Sequence, residues 1–326
     1  MNILVTGGAG FIGSHTVERF LREGHRVVVM DNFNDFYDPS IKEHNVAGFV
    51  SDAEIVRADI CDREAVSRVF SYGKFDAVVH LAARAGVRPS IANPRAYVES
   101  NVAGTLNMLE AARDAGVGTF LFASSSSVYG ATPEVPFRED MPLVQTFSPY
   151  AATKLAGEHL CSNFSHLYGM RVRCLRFFTV YGARQRPDLA IHKFTDLIFH
   201  GLPVPQFGDG STRRDYTYID DIIQGVAGAL AYDGTAFDVF NLGENQTTTL
   251  SELIAAIEAA LGRKAIIEYF PVQQGDMPMT CADISKARAL IGYNPQTKIV
   301  TGIPKFVEWY VQGSTGFQPV ENGCLK

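Results

Sequence analysis

A tyrosine and a lysine stand four residues apart at the predicted start of a long helix. Ser148 suits the N-cap and Pro149 the first helical position, so we expect a helix over Tyr150–Tyr168. Tyr150 and Lys154 then share one face of that helix. A phenol has an ordinary pKa of about 10 and is a poor base at neutral pH, but nearby positive charge favours the phenolate. The pair therefore predicts a tyrosine that can act as an acid and a base.

A serine run precedes this pair by one predicted strand. Ser124–Ser127 come at the end of the apolar strand Thr119–Ser124. In doubly wound sheets, ligands bind at the carboxyl ends of the strands. Hydroxyl groups placed there can hydrogen-bond a substrate hydroxyl and orient it toward the phenolate.

A glycine-rich turn follows the first predicted strand, Ile3–Thr6. Gly8, Gly10 and Gly13 satisfy G-x-G-x-x-G, and Gly7 with the last two gives G-x-x-G-x-x-G. Such a turn lets a pyrophosphate approach the backbone and the start of the helix Phe11–Glu23.

An acidic residue ends the second predicted strand, Arg26–Met30. Asp31 follows Gly7 by 24 residues. This is close to the spacing of about 20 residues at which a carboxylate holds the ribose hydroxyls of a dinucleotide. Its charge would repel a 2′-phosphate, and Asn32 rather than an arginine follows it. These features favour NAD over NADP.

Strands and helices alternate through the first half of the chain, which predicts a doubly wound parallel sheet of the Rossmann type. Besides the elements above, the predicted strands are Glu54–Ala58, Asp76–Leu81 and Val172–Phe178, and the predicted helices are Arg63–Ser71 and Pro94–Ala115.

The pattern changes after about Tyr181. Helices are predicted around His192–Phe199 and over Leu250–Leu261, Ile284–Leu290 and Ile303–Gln312. The strand Phe237–Leu242 is expected to return to the main sheet, so the two lobes interleave. We therefore expect a cofactor-binding domain of about residues 1–178 and 216–243, a smaller, interleaved substrate domain of about 179–215 and 244–312, and a frayed tail over 313–326.

The composition excludes several classes of protein. The 326 residues carry a net charge of −6 and are 46% hydrophobic, which argues against a disordered chain and against a global basic surface for nucleic acid. No apolar run reaches the roughly 18 residues of a membrane helix, and the N-terminus enters a strand at once, so we expect a cytoplasmic protein. The five cysteines suit reduced thiols, the eight histidines form no metal motif, and His80 reads as a structural hydrogen-bonding residue.

These motifs resemble the extended branch of the short-chain dehydrogenase/reductase superfamily, and within it the NAD-dependent nucleotide-sugar epimerases. The resemblance extends to about residue 312. Besides the glycine turn, the serine run and the Tyr150/Lys154 pair, it rests on Asp59-Ile60, His80-Leu81-Ala82-Ala83, Asn101-Val102-x-Gly104-Thr105, Arg176-Phe177-Phe178-Thr179-Val180-Tyr181-Gly182 and Arg214-Asp215-Tyr216.

The resemblance implies a role for individual residues. Ser125 is expected to assist Tyr150, and Lys154 completes the catalytic set by holding the cofactor ribose. Asp59 and Ile60 would contact the adenine. The full set of expected NAD contacts is Gly7, Gly10, Phe11, Ile12, Gly13, Asp31, Asn32, Asn34, Lys42, Asp59, Ile60, Leu81, Ala82, Ala83, Asn101, Ser124, Tyr150, Lys154 and Phe177.

The serine run also distinguishes between reactions. Related 4,6-dehydratases carry Thr-Asp-Glu before Val-Tyr-Gly, and related decarboxylases carry a Glu there. This chain has Ser125, Ser126 and Ser127. Without a carboxylate, dehydration and dedicated decarboxylation are disfavoured, and 4-epimerisation of a UDP-sugar remains.

Two segments are similar to those of epimerases that act on UDP-glucuronate: 31–38 with Lys42, and 80–88. Thr179, with Ser126 and Ser127, could hold a C6 carboxylate where glucose-type enzymes usually have Asn. Glucose-type enzymes also have an Arg where this chain has Gln273, so one phosphate contact is missing or supplied elsewhere. The expected substrate contacts are Arg88, Ser125, Ser126, Ser127, Tyr150, Thr179, Arg186, Ala190, Ile191, Phe194, Gln206 and Arg214, with Arg184 as a further candidate for the phosphates.

Other functions stay open from the sequence. A UDP-glucose or UDP-N-acetylhexosamine 4-epimerase is the alternative within enzymes, and a net oxidoreductase is a third possibility. An NAD-sensing binding protein is the alternative of another class, although it would be expected to lack the Tyr or the Lys. The resemblance also implies a homodimer formed through the helices Pro94–Ala115 and Tyr150–Tyr168.

Overall fold

A computed structural model describes residues 1–130, 132, 134–271 and 277–314 of the protein. The strands are β1 Asn2–Thr6, β2 Arg26–Asp31, β3 Glu54–Arg57, β4 Ala77–His80, β5 Thr119–Ser125, β6 Arg171–Phe177, β7 Thr179–Tyr181, β8 Pro203–Phe207, β9 Arg213–Arg214, β10 Tyr216–Tyr218, β11 Phe237–Leu242, β12 Thr248–Thr249 and β13 Ile266–Phe270. The α-helices are α1 Phe11–Arg22, α2 Pro39–Ala47, α3 Arg63–Tyr72, α4 Val87–Ala92, α5 Pro94–Val98, α6 Thr105–Asp114, α7 Pro149–Tyr168, α8 Ala190–Phe199, α9 Ile219–Ala231, α10 Leu250–Leu261, α11 Ser285–Ile291 and α12 Ile299–Ser314.

Seven parallel strands form the main sheet, in the order β11-β6-β5-β4-β1-β2-β3. The predicted doubly wound fold is confirmed, and the late strand β11 pairs with β6 as expected. The strand order reverses between β1 and β4, and such switch points are where open α/β sheets bind ligands. The carboxyl ends of all seven strands lie at this edge of the sheet.

Apolar side chains cover both faces of the sheet. Every residue of β4 and β5 is buried, as expected for strands between two helical layers. One core contains Val5, Val79 and Leu121, and the other contains Phe122 and Cys161. The two cores explain why these strands read as continuous apolar runs rather than as alternating ones.

Helix α7 lies against the sheet because of a glycine on its inner face. A Cβ atom on Gly157 would come within 2.3 Å of the Phe122 ring, so the bare backbone lets the helix approach β5. The Ser148 side chain accepts a hydrogen bond from the backbone N–H of Ala151, and Gly169 ends the helix with a left-handed φ of 69°. These end signals agree with the sequence prediction to within a residue.

The long helix predicted over Pro94–Ala115 is not continuous α-helix. A π-helical segment, Glu99–Gly104, separates α5 from α6. The side chain of Asn101 lies inside it, where it donates to the carbonyl oxygen of Arg84 and to the hydroxyl of Thr153 and accepts from the Arg84 N–H. The wider π-helical turn directs the buried Asn101 amide toward the loop after β4 and toward α7. Apolar periodicity does not reveal that a polar side chain is needed at this position.

The second half of the chain adds short parallel and antiparallel strand pairs beside the main sheet. β7 pairs with β10, β8 with β13, and β9 with β12. Helix α9 was not predicted. It packs closely on β11, because a Cβ on Gly225 in its interior would come within 2.7 Å of the Leu242 side chain. Of the tail predicted from residue 313, only Gly313 and Ser314 lie within the described residues, in the last turn of α12.

Candidate active site

The glycine turn between β1 and α1 forms a cradle that side chains would fill. Gly7 has a φ of 70°, and a Cβ there would lie 2.8 Å from the backbone nitrogen of Ala82. A Cβ on Gly13 would lie 2.0 Å from the carbonyl oxygen of Gly7. Helix α1 starts without a side-chain cap and without acidic residues in its first turn. Its free N–H groups and its dipole therefore suit the pyrophosphate of a dinucleotide.

Asp31 ends β2 beside this turn and is bound to it. One carboxylate oxygen accepts a 3.2 Å hydrogen bond from the N–H of Ala9, and the other lies 3.3 Å from the ammonium of Lys42. Both side chains are buried, with relative exposures of 5–6%. Asp31 and Lys42 were both expected in the cofactor site, and the fold brings their side chains into contact.

The predicted adenine-side residues form one hydrogen-bonded cluster with this pair. Asn32 donates to the Asp59 carboxylate at 2.8 Å, and Asn34 donates to the side-chain oxygen of Asn32 at 2.9 Å. Burial opposes charge on Asp59, but hydrogen bonds from Cys61 and Asn32 outweigh it and hold the pKa of Asp59 below its usual value. Ile60 packs against Gly104, where a Cβ would meet it at 2.8 Å.

The remaining predicted cofactor residues lie at the same edge of the sheet. Leu81, Ala82 and Ala83 follow β4, and the Ala82 N–H donates to the Thr6 hydroxyl at 3.2 Å. Ser124 is the penultimate residue of β5, and Phe177 is the last residue of β6. These placements and the glycine cradle fit a dinucleotide laid across the switch point.

Tyr150 and Ser125 meet at the carboxyl end of β5. The Ser125 hydroxyl is close enough to the Tyr150 phenol to lower its pKa. The ring of Tyr97 contacts that of Tyr150 edge to face, with centroids 6.2 Å apart, and the Tyr97 hydroxyl donates to the carbonyl oxygen of Ala85. Tyr97 is a contact that the sequence analysis missed, and no local pattern marks it.

The charge balance at Tyr150 differs from the sequence expectation. Burial raises the pKa of Tyr150, while the Ser125 hydrogen bond and the charge of Arg186 lower it, and the net direction is upward. Lys154, expected to favour the phenolate, donates to the carbonyl oxygen of Ala123 at 2.7 Å instead, and burial lowers its own pKa to about 8. In this arrangement of side chains, the charge that lowers the pKa of Tyr150 is that of Arg186.

The serine run continues from Ser125 into a short 3-10 turn, Ser126–Tyr129. The Ser125 hydroxyl donates to that of Ser127 at 3.2 Å and accepts from the Ser127 N–H. Thr179 begins β7 two residues after β6, and its N–H donates to the carbonyl oxygen of Asp215. Ser126 and Ser127 thus follow β5, and Thr179 follows the adjacent strand β6, at the same edge of the sheet.

The arginines proposed for the phosphates have different environments. Arg184 pairs with Glu18 at 2.6 Å and ties its loop to α1, so its selection as a phosphate ligand is not supported. Arg186 makes a bidentate pair with Asp188. Arg214 donates to the carbonyl oxygen of its neighbour Arg213, and the guanidinium of Arg88 lies 5.1 Å from the Phe207 ring centroid.

The residues predicted for a uracil pocket divide into two groups. Ile191 and Phe194 are buried at 1% and 8% exposure in the main apolar core, whereas Ala190 is exposed at the start of α8. Gln206 is buried, and its amide lies 3.5 Å from the carbonyl oxygen of Gly208. The Gln273 departure, near Gly275 and Asp276, lies outside the described residues.

His80 has the structural role that the sequence predicted. Its ring is fully buried between the hydroxyls of Thr6, at 2.7 Å, and Thr105, at 3.1 Å. Burial lowers the pKa of His80 to about 3, so the ring is neutral at physiological pH. Within the described ranges, no cluster of three metal-ligating side chains occurs and no helix is long and apolar enough to span a membrane.

A buried ion pair beneath the site was missed by the sequence analysis. Glu158 lies on α7 four residues after Lys154, and Arg176 lies on β6. Their side chains are 6% and 4% exposed and 2.8 Å apart. A charged residue on the buried face of a helix was the available signal, since such positions are otherwise apolar.

Comparison with known proteins supplies the family. Residues 3–243 match the NAD dependent epimerase/dehydratase family, and the chain belongs to it. A UDP-glucuronate 4-epimerase of Thermodesulfobacterium geofontis is 42% identical over 310 residues, which cover 94% of this chain and 95% of that protein. The resemblance inferred from the motifs is confirmed.

Solved structures agree with the fold. A Bacillus cereus UDP-glucuronic acid 4-epimerase, in complex with UDP-glucuronic acid and NAD, superposes with a TM-score of 0.90 at 35% identity and covers 96% of this chain and 99% of its own. A Thermotoga maritima UDP-glucose 4-epimerase, solved with UDP-glucose, gives 0.89 at 33% identity, covering 96% and 100%. The chain is accordingly an NAD-dependent UDP-sugar epimerase, an isomerase.

Proposed function

We propose that the protein interconverts UDP-glucuronate and UDP-galacturonate. The observation that carries the proposal is the placement of Ser125 beside Tyr150, at the head of a run of serines without a carboxylate. Elimination of water needs an added acid or base beside the tyrosine, and related dedicated decarboxylases carry a Glu in this segment, whereas epimerisation needs one group that takes and returns a proton.

NAD would lie along the edge between β1 and β4. The glycine turn would hold its pyrophosphate, and Asp31 its adenosine ribose. When bound, NAD⁺ would accept the hydride from C4 of the sugar and give it back to the opposite face after the 4-keto sugar has turned, so the net reaction is inversion at C4.

Tyr150 would take the proton from the C4 hydroxyl while C4 is oxidised and give it back when C4 is reduced. Ser125 would hydrogen-bond the same hydroxyl and fix its direction. Lys154 would hold the nicotinamide ribose. Because burial raises the pKa of Tyr150, the phenolate needs added positive charge, and Arg186 already contributes some.

The substrate carboxylate would be held by the hydroxyls of Ser126, Ser127 and Thr179. After oxidation the sugar is a β-keto acid, which loses CO₂ when the bond from C5 to the carboxylate aligns with the carbonyl π system. Hydrogen bonds that turn the carboxylate away from this alignment protect the intermediate.

The diphosphate would be held by Arg214, with Arg88 and Arg186 as further contacts. A guanidinium suits phosphate because its N–H groups match two oxygens at once. Ala190 and Gln206 would contact the uracil ring, while Ile191 and Phe194 would form the floor behind it.

UDP-glucose is the second candidate substrate, because the Thermotoga maritima UDP-glucose 4-epimerase superposes almost as well. The test is a comparison of kcat/KM for the two nucleotide sugars, with NMR to identify each product. We expect UDP-glucuronate to be preferred by about 100-fold, since a site whose hydroxyl groups bind a carboxylate discriminates strongly against a substrate that lacks it. Faster turnover of UDP-glucose, or a pentose as the main product, would exclude the proposal.

Tyr150→Phe tests the catalytic role. It should abolish epimerisation, whereas Tyr168→Phe, at an exposed position of the same helix, should keep it. Epimerisation by Tyr150→Phe at the wild-type rate would remove the assignment.

Three further properties belong to the proposal. Residues 1–178 and about 216–243 would form the cofactor domain, and about 179–215 and 244–312 the sugar-nucleotide domain.

A homodimer through α5–α7 is supported by the exposed apolar side chains of Val98, Leu167 and Tyr168, and sedimentation would test it. A cytoplasmic location is supported by the free thiols of the four described cysteines, and cell fractionation would test it.

A further inference from the structure

The ion pair of Glu158 and Arg176 is closed into a larger hydrogen-bonded network. Arg176 makes two charge-assisted bonds to the Glu158 carboxylate, from Nε at 2.9 Å and from Nη2 at 2.8 Å. The same carboxylate accepts from the hydroxyl of Ser124. Every one of these three side chains is at least nine-tenths buried.

Arg176 also extends the network away from the helix. Its Nη1 donates to the hydroxyl of Tyr129 at 3.0 Å, and its guanidinium lies 4.8 Å from the centroid of that ring. The Tyr129 hydroxyl then donates to the side-chain oxygen of Asn241 on β11 at 2.7 Å. The network thus reaches from α7 across the end of β6 to the last strand of the sheet.

The network holds both ends of the serine segment. Ser124, its first residue, is bound by Glu158, and Tyr129, which ends the 3-10 turn, is bound by Arg176. Between them stand Ser125, the partner of Tyr150, and the two serines proposed for the substrate. The ends are therefore fixed to one buried pair, and the segment between them carries the proposed chemistry.

Helix α7 is held against β5 by side chains that are spaced one helical turn apart. Tyr150, Lys154 and Glu158 lie four residues apart on one stripe of α7. Lys154 binds the carbonyl oxygen of Ala123, and Glu158 binds the next residue of β5, Ser124. Two consecutive turns of α7 thus anchor two consecutive residues of β5, directly before the serine that meets Tyr150.

Stability does not explain why charge is used here. The helix–sheet interface around the pair is apolar, with Phe122, Cys161 and Cys174 in its core. Replacing a buried ion pair by apolar side chains of similar size is often neutral or stabilising, because burial removes the hydration of both charges. An arrangement that fixes two ends of a segment needs directional bonds, which apolar packing does not supply.

We propose that Glu158 and Arg176 are positioning residues that set the distance between Ser125 and Tyr150 by holding Ser124 and Tyr129. The proposal rests on the proposed function of Tyr150 as the group that moves the C4 proton. Both side chains are buried beneath the site, and neither is proposed to contact the substrate.

The test separates stability from positioning with the double variant Glu158→Leu/Arg176→Met, which removes both charges together. We expect an unfolding free energy near that of the wild type and unchanged NAD content, but kcat at least about 30-fold lower and KM within about threefold, because removing the anchors weakens an interaction needed for reaction rather than for binding. A folded, NAD-loaded double variant with wild-type kcat would overturn the proposal.

Tyr129→Phe covers the case in which the double variant does not fold. It removes one hydroxyl while the ring keeps its stacking on Phe137, whose centroid lies 4.6 Å away. We expect kcat to fall about 3- to 10-fold, as for the loss of one hydrogen bond, while the protein stays folded. Wild-type kcat in this variant would contradict the proposal. His159→Gln, at an exposed position beside Glu158, is the matched control and should change nothing.

A direct reading of Tyr150 distinguishes this proposal from the proposed function. The Ser125 hydrogen bond lowers the pKa of Tyr150, so loosening it should raise that pKa, visible in NMR of ring-labelled tyrosine assigned with Tyr150→Phe. This titration needs no turnover. If the wild type fails to epimerise UDP-glucuronate, the function is wrong, while a raised Tyr150 pKa in Tyr129→Phe would still support positioning and an unchanged pKa would overturn it.

Discussion

Lys154 donates a 2.7 Å hydrogen bond to the carbonyl oxygen of Ala123. The bond fixes the ammonium at the end of β5, with only 4% of the lysine exposed to solvent. Burial lowers the pKa of Lys154 to about 8 from the usual 10.5. A charge kept in this position costs folding free energy, as is common for groups that serve a reaction rather than the fold.

Lys154→Met should therefore stabilise the protein near pH 7 while removing activity. Below about pH 8 the lysine is charged in the folded and unfolded states, and the folded state carries the full cost of burial, on the order of 1–3 kcal/mol. Between pH 8 and 10.5 the folded lysine is neutral while the unfolded one holds its proton, so the wild type gains stability as the pH rises. Denaturant unfolding of both proteins from pH 6 to 9.5 measures this.

The difference between the two proteins should shrink above pH 8, as the cost of the buried charge disappears. Lys193→Met, at an exposed lysine, is the control and should give a small difference that does not depend on pH. A Lys154→Met protein that is less stable than the wild type at pH 7 would contradict the account of this charge.

Gly13→Ala should prevent NAD binding. The added Cβ would lie 2.0 Å from the carbonyl oxygen of Gly7, so the backbone of the turn must move. We expect loss of bound NAD and a fall in unfolding free energy of about 2 kcal/mol or more. NAD content after purification and denaturant unfolding measure the two effects.

Gly48→Ala is the matched control for this prediction. Gly48 has a φ of −72°, and an added Cβ would meet only a Glu18 oxygen at 3.6 Å. This variant should keep both NAD and stability. Full NAD occupancy in Gly13→Ala would show that the turn does not form the cradle.

Thr179→Val should loosen the hold on the substrate carboxylate. The two side chains have nearly the same shape, and the N–H bond to the Asp215 carbonyl stays in place. A lost hydrogen bond to a charged group is worth about 1.5–3 kcal/mol, so we expect CO₂ release relative to epimerisation to rise about 10-fold or more. Quantifying the UDP-pentose by-product checks it, and release no higher than in the wild type counts against the role of Thr179.

Local patterns were enough to predict the parts of the site that short segments build. The turn at Gly7–Gly13 follows a strand and starts a helix, and Asp31 ends the next strand, so both are fixed by their own neighbourhood. Tyr150 and Lys154 share a helix face by spacing alone. The parallel sheet followed from the alternation of short apolar runs with longer amphipathic ones.

Contacts between distant segments could not be predicted in this way. The Glu158–Arg176 pair joins a helix to a strand that follows it, and Arg184 finds Glu18 on α1, far away in the sequence. The upward shift in the pKa of Tyr150 also depends on burial by the whole fold. The spacing between Tyr150 and Lys154 carries no information about that burial.

The most direct test of the central claim follows the hydrogen at C4. We would incubate the NAD-loaded protein with UDP-glucuronate carrying deuterium at C4 and examine the product by NMR. The account predicts UDP-galacturonate that retains deuterium at C4, because the hydride leaves and returns without exchange with water. Protium at C4, or an absence of UDP-galacturonate, would contradict it.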